Sequence, residues 1–246
     1  MLLRLSIVVL LSACQVTMNG VTLTNDQLKK TKRIVVVSVA ANTVTFYQQL
    51  PRVIQNAKDV SSWQLDRYYA DRFADAISKT LGIAAVAYQG ELTSGLGKVY
   101  APDAFLRADR FNWAAIKDPV KAIADETGAD LVVLLLKDEF QDPTARFQFL
   151  VSGLGVSGNR FSCVAFAHLT LVALDPAGTA PVAGANVYLT GSDGRPAKSV
   201  LQAPVEACAD NHEPLPPAIE QKLRETYVRL LSDQVVRQTS SRLVQQ

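Results

Sequence analysis

Two histidines and three cysteines are the residues of this chain whose chemistry is easiest to recruit. Cys163 with His168, and Cys208 with His212, have the outline of a split Cys2His2 metal set. Their spacing argues against it. Cys163 and His168 lie five apart in a β-like run, so strand alternation sends them to opposite faces, whereas metal ligands must converge. The reading therefore assigns no metal and no cofactor. It leaves the two thiols as a disulfide or as free buried groups. His168 sits in a run that is apolar on both faces, the setting of a core imidazole with an internal hydrogen bond rather than of a general base. His212 falls in "ADNHEPLPP", a loop in which an imidazole is solvated. Asp138 and Glu139 leave the strongest strand at its carboxyl end, where open α/β sheets place ligands. Adjacent acids there are ordinarily solvated. Trp63, Tyr68, Tyr69 and Trp113 have the helical spacing of core aromatics.

Two glycine-rich stretches invite a phosphate. "GLGVSG", Gly153 to Gly158, has the dinucleotide-binding spacing and follows an apolar strand. The next residues, "NRFSCVAFAHLTLV", are β-like, so no helix amino terminus is present to hold a pyrophosphate, and the stretch reads as a flexible hairpin connection. The same residues nearly spell the hydrolase elbow around Ser157, but Asn159 takes the place of its second glycine. "GELTSGLGK", Gly90 to Lys98, misses the phosphate loop because Leu96 stands where lysine is required and Val99 follows Lys98. It reads as a loop of small residues.

The elements that would position these groups alternate along the chain. "RIVVVSVAA", Arg33 to Ala41, is a β-branched run of the kind buried on both faces. Residues 44 to 60 read as irregular. Ser61-Ser62 would cap a helix from about Trp63 to Thr80, with Leu65, Tyr69, Phe73 and Ile77 on one face and Gly82 as its stop. A short strand covers 83 to 89. Asp118-Pro119 opens another helix, closed by Gly128. "ADLVVLLLK", residues 129 to 137, is the central strand, and further strands are expected near 146–152, 161–174 and 185–190. Pro216-Pro217 start one long terminal helix to about Leu243, with Ile219, Leu223, Tyr227, Leu230 and Val235 as its apolar stripe. The expected fold is α/β, of mixed α+β character. It has a mixed sheet of about five to six strands covered by helices, in one domain over 32–246.

The amino terminus adds location. Arg4 precedes a short apolar stretch, Leu5 to Leu11, which is the layout of a secretory signal and too short to span a bilayer. Leu11-Ser12-Ala13-Cys14 resembles the lipobox of bacterial lipoproteins, which are cut before a cysteine that carries lipid. The resemblance implies a signal peptide over 1–13 and lipid on Cys14, with three acyl chains at about 0.8 kcal/mol per buried methylene. Gln15 in place of an aspartate implies the outer membrane, facing the periplasm. Residues 14–31 would form a lipidated, flexible tether that reaches up to roughly 60 Å. In that oxidising compartment the first reading of Cys163 and Cys208 is a disulfide closing a loop of about 45 residues, contributing about 4 kcal/mol.

Removing 13 of the 246 residues leaves 233, enough for a sizeable core. The formal net charge of +2 becomes +1 without Arg4. That near-neutral balance argues against a nucleic-acid partner, which would need a concentrated basic patch. "KRIVVVSVA", then "KAIADETGADLVVLLL", then a terminal amphipathic helix, resemble in order the periplasmic α/β domain of envelope lipoproteins. That group includes the curli secretion channel lipoprotein, the TolB amino-terminal domain and the lipoprotein activators of penicillin-binding proteins. With the lipobox resemblance implying the anchor and no catalytic motif among the residues, the expected function is a lipid-anchored adaptor or assembly factor that binds an envelope protein or peptidoglycan without catalysis, and an oligomer is compatible with it. The competing readings are a periplasmic hydrolase using a His/acid pair and a carrier of a small hydrophobic ligand. Residues 42–60, 90–117 and 203–216 are the expected contact surfaces.

Overall fold

The computed structural model describes residues 21–49, 53–100, 111–141, 150–159, 161–177, 180–187, 189–190, 196–197, 200–208 and 215–244. In chain order the elements begin with α1 (Asn25–Lys30), β1 (Arg33–Ser38), β2 (Thr43–Gln49), β3 (Val53–Asp59), α2 (Leu65–Leu81) and β4 (Ala84–Ala87). They continue with α3 (Thr93–Leu96), α4 (Lys117–Thr127), β5 (Leu131–Lys137), β6 (Glu139–Gln141), β7 (Leu150–Asn159) and β8 (Ser162–Leu174). The last are β9 (Pro181–Asn186), β10 (Leu189–Thr190), β11 (Pro196–Ala197), β12 (Val200–Gln202), α5 (Pro217–Leu230) and α6 (Asp233–Ser241).

The fold is mixed α/β around one curled sheet. Its main path runs β3-β2-β7-β8-β5-β1-β4, and with β6, β9 and β12 it has ten strands, more than the five or six expected. β8 is the shared member. Its first half pairs antiparallel with β7 and β12, and its second half with β5 and β9. Thirteen residues at about 3.3 Å each make β8 long enough to serve both halves. β1 lies between β4 and β5, parallel to both. The Asp130 carboxylate pins that register by accepting from the backbone N–H groups of Lys32 and Arg33, at 2.7 and 3.0 Å.

Both faces of β1 and β5 are covered, which is why their sequences are continuously apolar. Ile34, Val36, Leu131, Val133 and Leu135 enter the larger core beneath α2, α5 and α6. Val35, Val37, Val132, Leu134 and Leu136 enter a second core with Val120 and Ile123 of α4. In α2, Leu65, Tyr69, Phe73 and Ile77 are buried as expected, and Gly82 ends the helix at φ +68°, a conformation that costs a residue without Cβ little. Tyr69 Oη donates to the Tyr227 carbonyl at 3.1 Å, tying α2 to α5. An Arg72–Asp233 ion pair ties α2 to α6.

Several sequence-based expectations need correction. Residues 43–49 and 53–59, within the stretch expected to be irregular, are strands. Within them β2 and β3 pair antiparallel, and Val44 is fully buried while Thr45 and Phe46 are only half-buried, so the hydrophobic alternation is weak. The terminal helix is two helices broken at Leu231-Ser232, where the Ser232 hydroxyl accepts from Val235 N–H and caps α6. The stripe from Ile219 to Val235 is buried across that break. Ser61-Ser62 do not cap α2; they lie in a 3-10 turn, and Gln64 at φ +57° precedes the helix. Asp118 lies inside the first turn of α4 rather than at its cap. "GLGVSG" lies within β7 rather than in a hairpin connection, and "GELTSGLGK" is largely helical turns. Residues 21–31, which the sequence reading places in a flexible tether, make regular structural contacts. Leu23 is 1% exposed and donates its N–H to the Leu243 carbonyl, and Thr24 and Gln27 form a reciprocal capping box that starts α1.

A polar cleft at the strand carboxyl ends

The parallel strands β1, β4 and β5 all end at one side of the sheet, and a cleft of about 690 Å³ opens there. Open parallel sheets place ligands at this edge because the strand ends diverge into loops and helix starts. Ser38 closes β1, Tyr88 and Gln89 follow β4, Lys137 closes β5, and Gln64 and Asp66 come from the start of α2.

Asp66 organises the floor. Its Oδ1 accepts from the Ser38 hydroxyl at 2.5 Å and from the backbone N–H groups of Ala40 and Ala41, both at 2.9 Å. The chain leaving β1 has no strand partner at this point, and the carboxylate supplies the acceptors its N–H groups need. A carboxylate in the first turn of α2 also sits favourably against the helix dipole.

Lys137 and Tyr100 form the wall. Lys137 Nζ donates to the Thr43 hydroxyl at 2.5 Å and lies 5.8 Å from the Tyr100 ring centre. The backbone N–H of Lys137 donates to Tyr100 Oη at 2.7 Å. Burial pushes the Lys137 ammonium pKa below its usual 10.5, opposed in part by the nearby Asp66 charge. Burial drives the Tyr100 phenol upward, so it stays neutral. The lysine stem is accommodated by Gly153 of β7: a Cβ there would stand 3.0 Å from the Lys137 Cγ and Cδ. Two residues on, Gly155 leaves room for the Phe166 ring, whose Cζ would lie 2.1 Å from an added Cβ. The glycines of "GLGVSG" thus answer to side chains packed across them.

The sequence-selected residues are scattered. Cys163 and Cys208 form a disulfide, with Cα atoms 5.6 Å apart, inside the larger core. This takes both sulfurs out of any ligand set. His168 lies on the opposite face of β8 and stacks on Phe166 with ring centres 5.1 Å apart. It does not line the cleft. Asp138 and Glu139 stand at the β5–β6 junction, where Asp138 Oδ1 accepts from Glu139 N–H at 2.9 Å. Trp63 and Tyr69 are core residues, Tyr68 packs under Arg72, and Trp113 packs on Phe111. Cys14 and His212 lie outside the described residues.

Lys137, Asp66, Thr43 and Tyr100 were not singled out from the sequence. A signal for Lys137 was present: it is the charge that ends "ADLVVLLLK", one residue before the acids that drew attention. The other three carry no local pattern, since they converge from 37 to 94 positions away in the chain. Comparison with protein families, with characterised proteins and with solved structures finds no match to this chain.

Proposed function

We propose that this protein is a lipid-anchored protein of the bacterial envelope, held in the outer membrane through Cys14 and facing the periplasm. It acts there as a binding adaptor for an envelope protein or peptidoglycan and performs no catalysis. The observation that carries the reading is the Cys163–Cys208 disulfide within the core of the domain, since such bonds persist in oxidising compartments. It joins the Leu11–Cys14 box, which resembles a lipid-attachment signal. No helix among the described residues is long and apolar enough to cross a membrane, so attachment in this reading falls to the lipid. With the packed chain starting by Val21, the seven residue steps from Cys14 reach about 25 Å at most, which keeps the domain close to the bilayer.

The test is membrane fractionation with in-cell crosslinking of the full-length protein beside Cys14→Ala. The wild type is expected in the outer-membrane fraction with one dominant crosslinked partner. The variant is expected in the soluble fraction without that partner. A wild type that stays soluble, or a partner captured equally by both, overturns the reading. The hydrolase alternative requires His168 or His212. A joint His168→Gln, His212→Gln variant that still captures the partner removes it.

A further inference from the structure

The cleft at the ends of β1, β4 and β5 has the chemistry of a small-molecule site, and we infer that it binds a sugar carrying one anionic group, a carboxylate or a phosphate, against Lys137. The inference deepens the adaptor reading by naming what the domain takes up. It rests on that reading for the compartment in which the ligand is met and for nothing in the geometry.

Three observations carry it. The first is volume: about 690 Å³ falls within the range of ligand sites and suits one or two sugar rings. The second is the unspent charge. Lys137 brings an ammonium into a partly desolvated wall, where it meets the Thr43 hydroxyl and the Tyr100 ring. Among the described residues no carboxylate lies within ion-pair distance of it. Asp66, whose Oδ1 accepts from Ser38, Ala40 and Ala41, acts on Lys137 as a nearby charge and not as an ion-pair partner. Lys137 retains two further N–H donors, and Arg67 adds a second cation at the rim. An anionic group placed there forms charge-assisted hydrogen bonds and relieves the burial penalty on the ammonium.

The third observation is the remainder of the lining. The amides of Asn42 and Gln64 and the hydroxyls of Ser61, Thr93 and Ser94 border the cleft, whose lining is more polar than apolar. Amides and hydroxyls both donate and accept, which matches the alternating demand of sugar hydroxyls and disfavours a purely hydrophobic cargo. The lipid-carrier alternative is correspondingly weakened for this cleft.

The test is calorimetric titration of the purified full-length protein in detergent with N-acetylmuramic acid, N-acetylglucosamine 1-phosphate, neutral N-acetylglucosamine, and acetate and inorganic phosphate as anion-only probes. At least one charged sugar is expected to bind about tenfold more tightly than the neutral sugar and than its matching free anion. Which charged sugar binds separates carboxylate from phosphate. Lys137→Met, which keeps the stem beside Gly153, is expected to erase the preference for charge while the thermal transition stays cooperative. Lys137→Arg is expected to retain part of it. Binding of no charged sugar, equal binding of the neutral sugar or of the bare anion, or a preference unchanged in Lys137→Met overturns the inference. Failure of the Cys14 fractionation leaves these titrations unaffected, so the two readings fail separately.

Discussion

Asp66 and Ser38 join the first turn of α2 to the last residue of β1: the Ser38 hydroxyl donates to Asp66 Oδ1 at 2.5 Å, beside the N–H groups of Ala40 and Ala41. One carboxylate oxygen thereby sets the exit of the chain from a buried parallel strand and one side of the cleft.

Removing it leaves two backbone donors, both on buried residues, without their acceptor. Asp66→Ala is expected to destabilise the domain by about 1–3 kcal/mol, while Asp66→Asn, which keeps one oxygen acceptor, loses less. Urea titration of the three proteins measures this, and equal midpoints would show that Asp66 does not support the strand exit.

Lys137 carries the opposite sign. Burial lowers its pKa below 10.5, so between that lowered value and 10.5 the unfolded chain binds more protons than the folded one. Stability contributed by this residue therefore rises with pH across that interval. Wild type is expected to gain on Lys137→Met as pH climbs toward 10.5, with its largest deficit below the lowered pKa. Denaturant midpoints of the pair across the alkaline range check the slope, and a pH-independent difference contradicts it.

Gly155 and Phe166 face each other across the β7–β8 ladder, and the ring occupies the space a Cβ would need. Gly155→Ala is expected to cost about 1–3 kcal/mol by overpacking. Adding Phe166→Leu should recover part of that loss. Strict additivity of the two substitutions would show that the ring is not what excludes the methyl group.

The Cys163–Cys208 bond spans 45 residues and fastens β8 to the segment ahead of α5. In the chain-entropy account, Cys163→Ala with Cys208→Ala is expected to lower stability by about 4 kcal/mol. A denaturant midpoint unchanged between oxidised wild type and the double variant would place the stabilisation elsewhere.

Much of the framework is legible from local pattern. β1, β5 and α2 announce themselves through continuous β-branched runs and four-residue spacing, because their burial repeats with the geometry of the element itself. β2 and β3 escape notice because their hydrophobic alternation is weak and they are stabilised by pairing, β2 with β7 and β3 with β2, which no local period encodes. The terminal stripe is readable while its break is not, since the Ser232 cap interrupts a sequence that remains apolar at helical spacing on both sides.

The amino-acid sequence by itself determined the α/β class, the central strand and the pairing of two distant cysteines as one reading among several. Tertiary structure decided that those cysteines bond, that β8 serves both halves of the sheet, and that Lys137, Thr43, Tyr100 and Asp66 meet in one cleft. The division has a physical basis. Burial with a helical or strand period leaves a mark every two to four residues. A polar site assembled at strand ends depends on which strands are neighbours, and that is set by the packing of the whole sheet.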